Sequence, residues 1–376
     1  MRITAAVTRA PGGPFHLEPV EIESPLPGEV RVRMVATGVC HTDMVMRDRL
    51  LPVPQPVVLG HEGAGIVEAV GPGVRKVAAG DAVVITFNSC GTCPCCTAAS
   101  PAYCHEFFPR NFFGARSDGS SGLSQDGQLI HGNIFGQSTF STYALAHERN
   151  VVKVPTTAPL PLLGPLACGI QTGVGTVLNS LKVQPGASLV VMGAGSVGLS
   201  AVMGGVLAGA AMIIAVDPQP ARRDMALSLG ATHVLDPIAG DVVAAVMALT
   251  GGAGVNHSLD TTGRADVIRS GIMMLANMGE CAVVGAIGHG QDIAVDGGQL
   301  LSGGRRLRGV VEGDSNPDQF IPHLVELHAA GRLPFDRLVR FYPLAEINEA
   351  VHASERGEVI KPILLMPGVD RAAYGL

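Results

Sequence analysis

The 376-residue chain has no tryptophan, 4 tyrosines and only 4% aromatic residues. Proteins that hold single-stranded nucleic acid stack its bases on aromatic rings along a basic groove. Here rings are scarce, the formal charge is −6 and no Lys/Arg run occurs, so the sequence argues against nucleic-acid binding. Charged residues are also few, at 15%, against 47% hydrophobic. That balance describes a globular chain rather than a disordered one, despite 49 Gly and 26 Pro. The opening "MRITAAVTRAPGGPF" lacks the apolar stretch of a secretory signal. No charged residue falls between Val183 and Val216, which by length alone would permit a membrane span. However, "LVVMGAGSVGLSAVMGG" followed by "MIIAVD" reads as strand, Gly turn, small-residue helix and strand, buried on both sides in a parallel sheet. No membrane partner is expected. The expected location is the cytoplasm, where thiols stay reduced and clustered cysteines signal metal or catalysis rather than disulfides.

The length calls for two domains, and the texture of the sequence changes along it. The first ~165 residues hold short alternating runs such as "GEVRVRMVATGV", "GAGIVEAVG" and "GDAVVITF", broken by Gly and Pro, as half-buried strands require. Between Cys104 and Phe140 runs a polar excursion containing "ARSDGSSGLSQDGQ", expected as a surface loop or lobe. From about Gly169, apolar strands alternate with helical stretches, the pattern of βαβ units. A mixed segment closes the chain after about Arg308, with "FIPHLVELHAAGRL" as a helix.

Of the eight cysteines, five crowd into "CGTCPCCTAASPAYC", residues 90–104. Cys90, Cys93 and Cys96 are spaced C-x2-C-x2-C, and Cys104 follows after seven residues. Four thiolates in one loop suit a closed tetrahedral zinc site that holds the loop rather than reacts. A redox CxxC and an iron–sulfur cluster are the alternatives. Cys95 breaks the spacing and is read as a free neighbour. A second signal is Gly193, Gly195 and Gly198, with Ser196 and Val197 between them, in "VVMGAGSVGLS". The G-x-G-x-x-G pattern directly after a strand lets a pyrophosphate approach a helix N-terminus. Asp217 stands 19 residues beyond Gly198, where a carboxylate bonds ribose hydroxyls and repels a 2′-phosphate, favouring NAD over NADP. A third signal is dispersed: Cys40, His41, Thr42 and Asp43 in "GVCHTD", His61 and Glu62 in "LGHEGAG", and Cys168 in "PLACGIQTG". Together Cys40, His61 and Cys168 make a set suited to a catalytic zinc with an open fourth position.

These segments occur in the order found in zinc-dependent medium-chain alcohol dehydrogenases, and the chain resembles that family over nearly its whole length, including the "NEAVHASERGEVIKPIL" ending. Within it, the chain looks like the aryl (benzyl) and allylic alcohol branch. The resemblance implies an α/β chain of two domains. A GroES-like β-rich catalytic domain takes residues 1–169 and 312–376 with both zinc sites. A Rossmann-type coenzyme domain, a doubly wound parallel sheet, takes residues 170–311, with the active site in the cleft between them. It further implies that Cys40, His61 and Cys168 hold the catalytic zinc, that Asp43 orients His61, and that Glu62 lies near the metal. Cys90, Cys93, Cys96 and Cys104 hold the structural zinc, giving two ions per chain. The expected reaction is oxidation of a small-molecule alcohol to the aldehyde, with NAD accepting hydride.

Thr42 falls where the family keeps a hydroxyl that bonds the substrate oxygen. Relatives end their proton relay on a histidine where this chain has Val45, so solvent or His41 takes the proton here. His41 also matches a contact to the coenzyme pyrophosphate, Arg222 a contact to the adenosine ribose, Lys361 a second phosphate contact, and Thr172 a position beside the nicotinamide. Phe140, Leu51 and Phe87 are expected to line the substrate pocket, and an apolar slot favours benzylic or allylic alcohols. Relatives are homodimers or homotetramers. Competing readings are a thiol-adduct formaldehyde dehydrogenase, a polyol dehydrogenase, a general alcohol dehydrogenase of the family, a zinc-free reductase and a zinc-ribbon interaction protein. The last would need a basic or aromatic surface that the composition does not supply.

Overall fold

The run "GEVRVRMVATGV" forms strand Glu29–Gly38, whose alternation turns Val30, Val32 and Met34 inward. The computed structural model describes residues 1–288 and 290–376, and divides the chain into two units: Met1–Cys168 with Asn316–Leu376, and Gly169–Ser315.

The first unit holds two sheets. In the larger, Glu29–Gly38 pairs antiparallel with Glu62–Val70, Tyr143–His147 and Lys361–Leu365. The register sets Gly38 opposite both Glu62 and Ile363. The strand that leads to Cys40 thus ends beside Glu62, and beside the strand that opens with Lys361. The C-terminal segment belongs to this unit because Lys361–Leu365 completes its central sheet. Helix Pro317–Ala329 follows the apolar spacing of "FIPHLVELHA", burying Phe320, Ile321, Leu324 and Val325.

The excursion after Cys104 is only partly a surface lobe. It begins with helix Phe107–Phe112, and strands Leu123–Gln125 and Gln128–Ile130 extend the smaller sheet through His16–Ile22. Its last residues, Ile134 to Ser141, are all buried. The polar side chains there are satisfied internally. Gln137 Nε2, for example, donates to the carbonyls of His61 (2.9 Å) and Ile85 (3.1 Å).

In the second unit, six parallel strands lie in the order His233–Leu235, Met212–Val216, Ser188–Met192, Val255–Asp260, Leu275–Val283, Arg306–Gly309. Counted along the chain this order is 3-2-1-4-5-6, the doubly wound arrangement. The uncharged run from Val183 to Val216 resolves into strand Ser188–Met192, helix Ser196–Leu207 and strand Met212–Val216. The helix is rich in small residues because another backbone abuts it: a Cβ on Gly173 of helix Gly169–Gly175 would lie 2.2 Å from the Val197 carbonyl oxygen. Among the described residues, no single helix is long and apolar enough to cross a membrane.

Candidate active site and metal centres

"CHTD" begins helix His41–Arg47, with Cys40 as its N-cap. Asp43, in the first turn, reaches back so that Oδ2 accepts the Cys40 N–H at 3.1 Å. This reciprocal cap fixes Cys40 at the mouth of the helix. Asp43 is fully buried, and its Oδ1 accepts the Gly60 N–H (3.0 Å) and bonds His61 Nδ1 (2.9 Å). With Nδ1 occupied, His61 presents Nε2, which is buried and has no hydrogen-bond partner among the described residues. A buried polar nitrogen without a partner costs free energy unless a ligand fills the role.

Sulfur atoms of Cys40 and Cys168, a ring nitrogen of His61 and a carboxylate oxygen of Glu62 lie within 4.8 Å of one another. Cys168 arrives from the turn Gly164–Ala167, whose end is tied down where Thr86 Oγ1 donates to the Ala167 carbonyl (2.9 Å). Bonding to Cys168, above all, holds the Cys40 thiol well below its usual pKa, with Lys361 and His61 adding to the effect. Burial alone would lower the His61 pKa, but the charge and hydrogen bond of Asp43 outweigh it and hold it well above the usual value. Two thiols, one of them acidified, and an imidazole with one nitrogen fixed and the other open make a donor set that fits a zinc ion.

Glu62 is fully buried, and burial raises its pKa against the opposing charge of Lys361. Lys361 Nζ donates to both carboxylate oxygens, at 2.7 and 2.9 Å, and to the Val39 carbonyl at 3.3 Å. This corrects the sequence expectation for Lys361. Its ammonium, 1% exposed, is committed to Glu62 instead of being presented to a phosphate. A buried charge must be paired, and Glu62 is its pair.

Two of the three expected pocket residues lie elsewhere. Phe140 has no exposed surface; its ring packs edge-on against Phe15 at 5.6 Å and over Gly60, where a Cβ would lie 2.6 Å from the ring. Phe87 meets Phe107 at 5.6 Å and faces a hollow of about 570 Å³ shared with Cys96 and Arg149, on the side of the cysteine loop. Leu51 is half-buried just beyond helix His41–Arg47. The ring that does touch the site is Phe135, stacked on His61 at 4.6 Å and 24°. Its φ of +50° is a strained conformation for a bulky residue. Thr42 Oγ1 lies 3.8 Å from Cys40 Sγ, and His41 is exposed at the helix start.

In the cysteine loop, sulfurs of Cys90, Cys93, Cys96 and Cys104 lie within 4.8 Å of one another, and Cys95 is outside the set. Backbone N–H groups point at them: Thr92 (3.4 Å) and Cys93 (3.2 Å) at Cys90 Sγ, Cys90 (3.2 Å) and Glu106 (3.4 Å) at Cys104 Sγ. The bond from Thr92 leads in drawing Cys90 down to about 5, while burial pushes Cys104 up to about 12. Four such sulfurs can all be thiolates only around a cation, and the set fits a structural zinc. Among the described residues no cysteine forms a disulfide.

In the second unit, Gly193 closes the strand with φ +92°, and a Cβ on Gly198 would lie 1.8 Å from the Gly193 carbonyl oxygen. A Cβ on Gly195 would meet nothing within 4 Å, so that face is open. Gly193, Gly195, Asp217 and Arg222 line a hollow of about 760 Å³. Asp217 accepts the N–H groups of Ala194 and Gln219, both at 2.8 Å, and Arg222 Nη1 approaches it at 3.8 Å. Ser196 Oγ and Arg222 Nε are buried without hydrogen-bond partners among the described residues. An open Gly turn, a held acid and unpartnered donors fit a dinucleotide. Thr172 is 8% exposed and donates to Glu312 Oε2 at 3.3 Å.

Residues 26–156 match the alcohol dehydrogenase GroES-like domain, and residues 196–329 match the zinc-binding dehydrogenase family. The chain is 50% identical to geraniol dehydrogenase of Castellaniella defragrans over 363 residues, 96% of this chain and 97% of that protein. It is 35% identical to alcohol dehydrogenase class-3 of Myxine glutinosa over 96% of each. Among solved structures, benzyl alcohol dehydrogenase from Acinetobacter calcoaceticus superposes with a TM-score of 0.94 at 47% identity, covering 97% of this chain and 99% of that one. An alcohol dehydrogenase zinc-binding domain protein from Burkholderia ambifaria gives 0.96 at 53%, covering 98% and 99%.

Proposed function

The chain belongs to the zinc-binding alcohol dehydrogenases, and on that premise we propose that it oxidises a primary aromatic or allylic alcohol to the aldehyde, reversibly, with NAD+ as hydride acceptor. The observation that carries this reading is His61, with Nδ1 on Asp43 and Nε2 buried, unpartnered and grouped with the sulfurs of Cys40 and Cys168. Cys40, His61 and Cys168 would hold a zinc ion that supplies Lewis acidity toward an alcohol oxygen, and the Gly193 turn would hold NAD+, the hydride acceptor. Every other step belongs to the chain. Asp43 keeps the imidazole in the tautomer that leaves Nε2 free to ligate. Thr42 Oγ1 accepts the hydrogen bond of the alcohol and takes its proton only as it passes on its own. His41 and Val45 lie four residues apart on one face of helix His41–Arg47, so exposed His41 can take that proton on to solvent where Val45 cannot. Asp217 selects NAD over NADP by excluding a 2′-phosphate.

The aromatic or allylic preference draws on the two relatives named for geraniol and benzyl alcohol, whose products are conjugated aldehydes. In this reading residues 1–169 and 312–376 form the catalytic domain, residues 170–311 the coenzyme domain, and the protein is a cytoplasmic homodimer or homotetramer. An NADH-absorbance screen over benzylic, allylic and short aliphatic alcohols, with formaldehyde plus thiol as a further arm, tests the reading. Turnover of the first two classes without added thiol is expected; turnover of formaldehyde alone, and only with thiol, would overturn it.

A further inference from the structure

Three consecutive residues, Glu312, Gly313 and Asp314, have φ of +50°, +64° and +50°. Left-handed backbone is strained for residues with a Cβ, and such strain gathers at functional sites. The turn follows Arg306–Gly309, so it stands beyond the carboxyl end of a parallel strand, the end at which doubly wound sheets bind dinucleotides. It is fastened on all sides. Asn179 Nδ2 donates to the Gly313 carbonyl (3.1 Å), Ser315 Oγ to the Glu312 carbonyl (2.7 Å), and Arg308 pairs with Asp314. Gly313 has no room for a side chain, since a Cβ would lie 2.5 Å from the Gln171 carbonyl oxygen.

This turn directs the Glu312 carboxylate into helix Gly169–Gly175. Glu312 is 8% exposed, and its Oε2 accepts Gln171 Nε2 at 3.1 Å and Thr172 Oγ1 at 3.3 Å. The acceptor-only carboxylate of Glu312 fixes the Gln171 amide with its NH2 toward it, and the amide Oε1 lies 3.0 Å from Ser315 Oγ. Oriented donors thus hold a buried carboxylate one hydrogen bond from the threonine read as the nicotinamide contact.

We propose that Glu312 is a positioning and electrostatic determinant that weights binding toward the oxidised dinucleotide over the reduced one. The inference rests on the placement of the nicotinamide at Thr172. The NAD+ ring carries a positive charge and the NADH ring carries none, so a fixed carboxylate nearby attracts only the former. Unit charges several ångströms apart interact appreciably at the effective dielectric constant of about 20 found in proteins.

The test is titration of zinc-loaded, full-length protein with NAD+ by calorimetry and with NADH by fluorescence. Glu312→Gln and Glu312→Met are expected to lower the ratio Kd(NADH)/Kd(NAD+) about tenfold, equivalent to about 1.4 kcal/mol. Glu312→Asp, which keeps the charge, should hold the ratio within about twofold of wild type. An unchanged ratio in both neutral variants, or an equal loss of both dinucleotides, overturns the proposal by reducing Glu312 to a structural brace. Failure of the underlying placement looks different: Thr172→Val would then leave both dissociation constants unchanged.

Discussion

Replacing Asp43 by Asn removes a charge and changes almost no volume. The structure shows why the cost is nevertheless large. Asp43 accepts three N–H groups, from Cys40, Gly60 and His61, all in a fully buried pocket. Asn has one acceptor oxygen. With that oxygen toward Gly60 and His61, its NH2 faces the Cys40 N–H, and donor meets donor; the flipped amide leaves two donors opposed. One unsatisfied buried donor costs about 1–3 kcal/mol. The effect on metal is separate: an imidazole that has lost its orienting carboxylate binds zinc about 10–100-fold more weakly, or about 1.4–2.7 kcal/mol. Zinc content and kcat/KM would be measured on Asp43→Asn after graded exposure to a chelator. The site grouped around His61 should empty first, and turnover should fall in proportion. The cysteine-loop metal should be retained, because the hydrogen bonds of Asp43 go to Cys40, Gly60 and His61 and the loop's four sulfurs form a separate group. Equal chelator resistance and equal kcat/KM in variant and wild type would refute the argument.

Three further outcomes follow from named contacts. Lys361→Met strands Glu62 as a buried, uncompensated charge and should destabilise the zinc-loaded protein by about 3–5 kcal/mol in denaturant unfolding, with Glu62→Gln in the same chain restoring most of the loss. Cys90→Ser should reduce the metal content by one ion and expose residues 90–104 to protease, whereas Cys95→Ser, outside the four-sulfur group, should do neither. Burial holds His147 down to about 4, against 6.5 for the free side chain. The unfolded chain therefore takes up a proton at a pH where the folded chain does not, and stability drains away as pH falls from 6.5 to about 4. Unfolding of His147→Gln should depend less on pH across that window.

Much of the molecule is legible where its logic is local. Thiolate spacing within fifteen residues, or a Gly turn between a strand and a helix, is written in neighbouring residues: the four sulfurs of the Cys90–Cys104 loop group together, and Gly193 ends its strand with positive φ. The partners that complete the first site are not local. Lys361 lies 299 residues from Glu62, although a lone lysine inside the apolar run "VIKPILL" already demands a buried counter-charge somewhere. Phe140 and Phe135 are both aromatic residues in one short segment. Only the backbone decides which ring meets the histidine, and Gly60 admits Phe140 to the interior while Phe135 turns onto His61. The end of the polar excursion is buried because Gln137 finds carbonyl partners at His61 and Ile85, more than fifty residues away, which no local pattern announces.

The central claim is that two cysteine-containing clusters divide the labour, one reacting and one bracing. Zinc per chain, measured together with NADH production from a benzylic alcohol in wild type and Cys168→Ser, tests it most directly. Two ions and turnover are expected in the wild type, and one ion, a retained fold and no turnover in the variant. A wild type with a single zinc, or a Cys168→Ser enzyme that keeps both ions and full activity, would contradict it.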